Sequence, residues 1–311
     1  MRMDIFRAEE HRPVLMREVV EILQPAPGKC LVDGTFGRGG HTVEFLKRGA
    51  SVLALDRDSA AILAAEVLKK EWGEKLKIKK TDFRNLEEPV ELLGEKADGV
   101  LLDLGVSSPQ LESAERGFSF HRDGPLDMRM DRETKTTAAM IVNERGEEEL
   151  AKIFREYGEE KQSRRIARAI IRARPLRTTL ELADVVARVL GAPRRGKTHP
   201  ATRVFQALRI AVNDELGALR CALEAACRVL KIGGRLAVIS FHSLEDRMVK
   251  QFIHQRSQRE LRQEGMAFGF ANPDYCLCKL GDWKPSEEEI AANPRARSAR
   301  LRAAERVAYV A

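Results

Sequence analysis

Four aspartates give the first indication of chemistry. Asp33, Asp56, Asp82 and Asp103 follow the runs Leu31-Val32, Ser51 to Leu55, Leu76 to Thr81 and Ala97 to Leu102, each apolar or alternating in the manner of a strand. Acids at four successive strand ends predict one shared crevice, because open α/β sheets bind ligands at the carboxyl edge of their strands. The first acid leads into Gly34-Thr35-Phe36-Gly37-Arg38-Gly39-Gly40 and then a helical stretch, His41 to Lys47. Glycines in such a loop permit positive φ and let the backbone approach a ligand closely. The second acid arrives about 20 residues later, where it can accept hydrogen bonds from ribose hydroxyls, a feature shared by NAD and S-adenosylmethionine sites. Asp33 favours S-adenosylmethionine, since a carboxylate at the loop mouth repels a pyrophosphate but suits an ammonium group and a positive sulfonium. The spacing Gly37-x-Gly39-Gly40 also departs from the Gly-x-Gly-x-x-Gly form. Beside Asp82, Phe83 offers a ring for an adenine; a buried Phe next to a turn-forming Asp accounts for that pair equally well.

The elements that must hold these residues follow a doubly wound α/β order. A helix over His11 to Leu23 precedes the first strand, with Leu15, Val19 and Leu23 on one stripe, and a second helix spans Ser59 to Trp72. After the fourth strand the alternation stops. Leu104 to Gln110 reads as a loop, and Arg116 to Asp131 as an irregular segment whose Phe and Met content argues against disorder. Helices are expected over Ala138 to Asn143, Glu147 to Tyr157, Ser163 to Arg174, Leu180 to Leu190 and Pro200 to Glu215. The α/β pattern resumes with a helix over Leu216 to Leu230 and a fifth strand over Gly234 to Ser240. Ser243 is expected to cap the next helix, with Asp246 near its third position, and Arg306 to Val310 to form a final edge strand. The expected organisation is a methyltransferase-type domain in two parts, 1–110 and 213–311, around an all-helical insertion at 111–212.

The helical block carries the densest positive charge. Arg164, Arg168 and Arg172 recur every four residues and form a ridge, with Ile166, Ala169, Ile170 and Ala173 on the inward side. RNA phosphates would explain the ridge, and so would a solvated surface helix. Two further basic stretches, Arg194 to His199 and Arg295 to Arg302, favour nucleic acid if all three border one crevice. Between them Arg203, Gln206, Arg209 and Asn213 make a polar face opposite Val204, Leu208 and Val212.

Composition sets looser bounds. The 311-residue chain has 43% hydrophobic residues, enough for a packed core, and 54 Lys plus Arg against 47 Asp plus Glu, a net charge of +7. That excess permits an anionic partner without requiring one. Five cysteines, Cys30, Cys221, Cys227, Cys276 and Cys278, are scattered too widely for a disulfide framework, which points to a reducing compartment. Cys276-Leu277-Cys278 lacks a second pair at zinc-site spacing, so no metal is expected. No apolar run is long enough to span a membrane and the amino terminus lacks a signal-peptide core; a cytoplasmic protein with no membrane partner is expected. Isolated histidines such as His199 read as structural or surface residues, and nothing in the sequence sets an oligomeric state.

Taken together, these residues resemble the RsmH (MraW) family of bacterial 16S rRNA cytosine-N4 methyltransferases. The resemblance runs from His11-Arg12-Pro13-Val14-Leu15 through Asp33 to His41, Asp103 to Leu111, Asp123-Gly124-Pro125-Leu126-Asp127-Met128-Arg129-Met130 and Ser163 to Ala167. It continues in His199 to Arg203, Ile239 to Arg247 and Asn293 to Ser298, so that it covers nearly the whole chain, and the stretch between Gln255 and Asn272 does not align. It implies a Rossmann-like S-adenosylmethionine-dependent methyltransferase sheet with a helical insertion, acting on the decoding region of the small ribosomal subunit. It also implies a cofactor site at Gly39, Gly40, His41, Asp56, Phe83, Asp103 and Gln110, to which the loop argument adds Asp33. The partner would be 16S rRNA or the small subunit, met by Arg164, Arg168, Arg172, Arg203, Arg295 and Arg297. A cytosine amine is a poor nucleophile because its lone pair is delocalised into the ring, so the enzyme must orient it and accept hydrogen bonds from its protons. Many amino-methyltransferases place an acid or amide, two prolines and an aromatic after the fourth strand; this chain offers Asp103 to Gln110 instead. Backbone carbonyls around Ser107, Ser108 and Pro109 are the candidate acceptors, with His242 as a neighbour or proton acceptor. Two other functions fit the residues: a methyltransferase of a protein or small molecule, and a non-catalytic rRNA-binding assembly factor.

Overall fold

A computed structural model describes residues 13–191, 199–261 and 269–308. His11 and Arg12, the basic stretch from Arg194 to Thr198, and Tyr309 and Val310 lie outside the described residues. The chain divides into two compact units, with breaks between Gly105 and Val106 and between Leu216 and Gly217. The sequence reading places them at 110/111 and 212/213; they differ because Val106 and Leu111 pack on the helical core and Asn213 is hydrogen-bonded within it.

The sheet unit begins with α1 (Met16–Leu23), β1 (Cys30–Asp33), α2 (Gly40–Lys47), β2 (Ser51–Asp56), α3 (Ser59–Trp72), β3 (Leu76–Lys80), α4 (Glu87–Glu91) and β4 (Ala97–Asp103). The helical unit follows with α5 (Ser108–Glu112), α6 (Ala138–Glu144), α7 (Glu147–Glu156), α8 (Ser163–Ala173), α9 (Thr179–Leu190) and α10 (Thr202–Asn213). After it come α11 (Glu215–Val229), β5 (Leu230–Ser240) and α12 (Ser243–Ser257), then a small ladder of β6 (Glu260–Leu261) and β7 (Phe270–Ala271). The chain ends with β8 (Leu277–Trp283), α13 (Glu287–Ala292) and β9 (Arg300–Arg306).

Seven strands form one sheet in the order β3-β2-β1-β4-β5-β9-β8, the first five parallel and the last two joined antiparallel. The near-continuous apolar runs of β1, β2 and β4 suit strands covered on both faces. Because side chains alternate across a strand, Leu31 and Leu101 join α1 and α2 on one face, while Val32 and Leu102 join α11 and α12 on the other. The last strand corrects the sequence reading. It spans Arg300–Arg306 and lies inside the sheet; the edge is β8, which the sequence reading does not contain. The arginines of β9 hide its burial. Arg302 is bidentate to Asp246 at 2.7 and 3.1 Å, and the Arg306 guanidinium donates to the carbonyls of Arg228 and Leu230 at 3.0 and 2.6 Å.

In the helical unit, Phe154, Ile166, Ile170, Leu182, Val186 and Leu208 share a core with Phe118, Leu126 and Met128 from the irregular segment. That segment is ordered by two clamps. Arg116 donates to the carbonyls of Arg129 and Met130 at 3.0 and 2.9 Å, and Asn213 donates to the Met128 carbonyl at 2.7 Å while accepting from the Met130 N–H at 2.8 Å. The expected polar face of α10 is therefore largely internal: Asn213 is buried, Arg209 is bidentate to Glu215 at 2.8 and 2.9 Å, and Gln206 donates to the Tyr157 carbonyl. On α8 the inward residues are Ile166, Ala167 and Ile170, with Ala173 exposed rather than inward. Among the described residues, no helix is long and apolar enough to cross a membrane.

Candidate active site

Since β1, β2 and β4 are parallel neighbours, Asp33, Asp56 and Asp103 end at one edge of the sheet, and Asp82 follows β3 at the same edge. The strand order reverses between β1 and β4, which is where open α/β sheets leave a crevice for ligands.

Asp33 is 1% exposed, and both its oxygens are engaged: Oδ2 accepts from Thr42 Oγ1 at 2.7 Å and Oδ1 from the Thr35 N–H at 3.2 Å. It thereby pins the glycine loop to α2. Burial pushes its carboxyl up to about 6, against the pull of the Thr42 and Thr35 hydrogen bonds. Asp56 holds the loop from the other side, accepting from the Gly37 N–H and the Asp58 N–H at 2.8 Å each, and burial raises its pKa too. Asp82 caps the short turn Phe83–Asn85 and pairs with Arg57 at 2.8 Å. Phe83 is partly buried against the sheet core, with its Cβ 3.5 Å from where a side chain on Gly34 would begin.

Gly39 and Gly40 have a packing reason to be glycine. Gly39 sits at φ 75° at the start of α2, where a Cβ would meet the Phe36 ring at 2.6 Å; at Gly40 it would meet Pro13 Cγ at 2.3 Å. The space a side chain would fill is occupied by the protein itself, a constraint the sequence reading attributes to a ligand.

Asp103 is the least satisfied acid. Its backbone N–H donates to Thr35 Oγ1 at 2.6 Å, yet its Oδ1 is buried without a hydrogen-bond partner among the described residues. Burial, then the charges of Asp33 and Glu245, push its carboxyl up to about 8. Oδ2 lies 3.7 Å from His41 Nδ1, too far for a hydrogen bond. His41 itself is buried, which lowers its pKa to about 4, and its Nε2 faces the Val14 carbonyl at 3.2 Å. A carbonyl can only accept, so the ring is neutral with its proton on Nε2, and Nδ1 turns a lone pair toward Asp103.

Across this edge His242, not Ser243, caps α12. Its Nδ1 accepts from the Glu245 N–H at 3.4 Å, and its Nε2 lies 3.2 Å from Glu245 Oε1. With Nδ1 used as the cap, Nε2 is the ring nitrogen turned toward Glu245. Glu245 in turn accepts from the His242 N–H at 3.4 Å, completing a capping box, and from the Phe241 N–H at 2.9 Å.

The expected loop from Leu104 to Gln110 ends in the short helix α5, within the helical unit. Gln110 is buried and its Oε1 accepts from the Ser107 N–H at 2.9 Å; Ser107 is the cap and Pro109 lies in the first turn. The carbonyls of Ser107 and Pro109 accept from the N–H groups of Leu111 and Ser113, at 3.2 and 3.0 Å. Each of these two carbonyls closes the helix with one bond and keeps a second lone pair.

The basic candidates lie on exposed faces of their own units: Arg164, Arg168, Arg172 and Arg203 in the helical unit, Arg295 and Arg297 in the sheet unit. Arg168 pairs with Glu147 at 2.7 Å. Cys276 is buried in the sheet core, where a hydrogen bond with the Cys227 thiol lowers its pKa, whereas Cys278 is exposed. The sequence reading misses Thr35, Thr42 and Glu245. Thr35 and Thr42 stand two and nine residues after Asp33, and only folding shows that their hydroxyls serve Asp103 and Asp33.

Residues 8–307 match the model of the MraW methylase family. The chain is similar to a protein named ribosomal RNA small subunit methyltransferase H from Chelativorans sp., with 51% identity over 97% of this chain and 88% of the relative. It is also similar to the protein of the same name from Brucella ovis, with 48% identity over 94% of this chain and 86% of the relative. A crystal structure of an rRNA methylase from Streptococcus thermophilus aligns over 94% of each chain at 12% identity, with a TM-score of 0.41. By the span of the family match and the identity to these relatives, the chain belongs to the MraW methylase family.

Proposed function

We propose that this chain transfers a methyl group from S-adenosylmethionine to the exocyclic N4 amine of a cytosine in the decoding region of small-subunit rRNA. The name borne by relatives of about half identity supports the substrate class. The observation that carries the chemistry is Asp103: its Oδ1 is a buried acceptor with no hydrogen-bond partner among the described residues, beside a second acid, at the switch point of a parallel sheet in a member of this family.

The acids at the strand ends fit the cofactor. Each oxygen of Asp56 accepts one backbone N–H and keeps a further lone pair for a ribose hydroxyl. Phe83 offers the adenine a face, and Asp33, Gly39, Gly40 and His41 form the turn beside it. Gln110 completes the set through the backbone it holds at the start of α5. When bound, S-adenosylmethionine supplies an electrophilic methyl group. Burial raises the pKa of two carboxyl groups in the free protein, Asp33 and Asp103, and a cation beside them favours their charged forms.

The amine must keep acceptors for its protons as its lone pair is drawn out of the ring. Asp103 Oδ1 is such an acceptor. Ser107, Ser108 and Pro109 act as positioning residues, fixing the backbone that leaves β4, and His242 acts by holding Glu245 and the start of α12. The target base enters unpaired or splayed from its strand. Arg164, Arg168, Arg172, Arg203, Arg295 and Arg297 meet its phosphates, and the helical unit, Val106–Leu216, serves as the substrate-binding domain.

The test is methyl transfer from labelled S-adenosylmethionine to isolated small subunits, free rRNA, DNA and ribosomal protein, side by side. Label in rRNA or in the RNA of the subunit is expected. Label confined to protein or DNA, or binding of rRNA with no transfer, overturns the reading.

A further inference from the structure

The helical unit holds a group of rings for which the proposed chemistry has no use. Phe120 sits at its centre, 4.6 Å from the His199 ring, 5.3 Å from the His121 ring and 4.8 Å from the Phe205 ring, centroid to centroid. Phe205 is buried in the helical core and meets Phe120 edge-on at 71°, which anchors the group from below. The other three rings are not closed over by the described residues. His121 is exposed, and Phe120 and His199 are half-buried.

His199 is fixed in place. Its Nδ1 accepts from the Ala201 N–H at 3.1 Å and its carbonyl from the Thr202 N–H at 3.0 Å, so the ring is tied to the start of α10. An Nδ1 that accepts from the backbone belongs to a neutral imidazole. Two guanidinium groups stand beside this patch in the chain, both exposed: Arg122 directly after His121, and Arg203 in the first turn of α10.

We infer that Phe120, His121 and His199 form a stacking platform for an unpaired nucleobase of the RNA substrate, with Arg122 and Arg203 on its flanking phosphates. The inference rests on the RNA reading above and deepens it. Single-stranded RNA is gripped by aromatic and imidazole faces bordered by positive charge, and every base has a π-face to offer. A ring group that merely completed a core would have no reason to leave an imidazole in solvent. A partner protein is the rival occupant, and the test separates it.

The full-length protein is compared with His121→Ala, His121→Leu and His121→Phe, using a short single-stranded RNA and the same strand with abasic sugars as probes. The Ala and Leu variants are expected to bind the RNA roughly five- to hundredfold more weakly, the range spanned by loss of one stacked base. The Phe variant is expected to stay within about threefold of wild type, because it restores the face. The abasic strand is expected to bind wild type and His121→Ala alike. Unchanged thermal melting of the exposed His121 variants shows that folding is not the cause. If wild type binds RNA and the Ala and Leu variants bind it equally well, the platform is wrong while the RNA reading stands. If Phe is as weak as Ala, His121 acts through a hydrogen bond rather than its face, and the platform is also wrong. If wild type binds no RNA, the RNA reading fails first.

Discussion

Replacing Asp103 with asparagine should stabilise the ligand-free protein while weakening its hold on the cofactor. The carboxyl is pushed from an ordinary 3.8 up to about 8, chiefly by burial. Between those values the folded chain keeps a proton that the unfolded chain has released, so stability falls as pH rises through this window and levels off above it. Each pH unit costs at most about 1.4 kcal/mol, a ceiling of roughly 6 kcal/mol across the window. The side chain keeps 26% of its surface exposed, and solvent screening lowers the expected cost to about 1–3 kcal/mol. An amide has no proton to lose in this range, and its N–H can turn to the lone pair of His41 Nδ1. Urea unfolding of both proteins from about pH 5 to about pH 9 measures the difference. The asparagine variant should gain on wild type as pH rises, by about 1–3 kcal/mol near pH 8. A difference that does not change with pH, or a variant less stable than wild type at pH 8, refutes the claim that Asp103 is a strained acid.

Four other outcomes are expected. Asp56→Ala should weaken S-adenosylmethionine binding by about 1–3 kcal/mol in calorimetry; wild-type affinity would remove Asp56 from the site. Cofactor binding near neutral pH should release protons, because a cation beside Asp33 and Asp103 lowers carboxyl pKa values that burial has raised. A binding enthalpy that is the same in buffers of different ionisation enthalpy would contradict this. Neutralising Arg164, Arg168 and Arg172 together should reduce RNA affinity and flatten its salt dependence by about one unit of slope per lost contact, less for Arg168, which is already paired with Glu147. Unchanged affinity and slope would make the ridge a solvated helix face. Asn213→Ala strands the Met128 carbonyl and the Met130 N–H, and should cost about 2–4 kcal/mol in urea unfolding; a loss below about 0.5 kcal/mol would mean that the segment is held elsewhere.

The parallel half of the sheet was legible because β1, β2 and β4 are short apolar runs that end on an acid, and Ala97–Asp103 and Ser51–Asp56 fall where the runs do. The antiparallel half was not. Arg302 and Arg306 look like surface residues until Asp246 and the carbonyls of Arg228 and Leu230 are brought to them by folding. The site shows the same division. Asp33, Asp56 and Asp103 announce their edge by spacing, but which of them is satisfied depends on Thr35 and Thr42. Hydroxyls are too common along a chain to signal such a role. Ser243 and Asp246 gave way to His242 and Glu245 as the cap of α12, a shift of one residue within a pattern that fits either register. That the carbonyls of Ser107 and Pro109 each close a turn of α5 is hidden while the segment reads as a loop.

The central claim is tested most directly by the nucleoside that receives the methyl group. Small subunits are treated with the protein and S-adenosylmethionine, and their 16S rRNA is digested and resolved by mass spectrometry, with fragment ions separating methylation on the exocyclic amine from methylation on ring carbon. The account predicts N4-methylcytidine from the decoding region, lost when Asp103 is replaced. A methyl group on carbon 5 of cytosine, on another base or on ribose would contradict it.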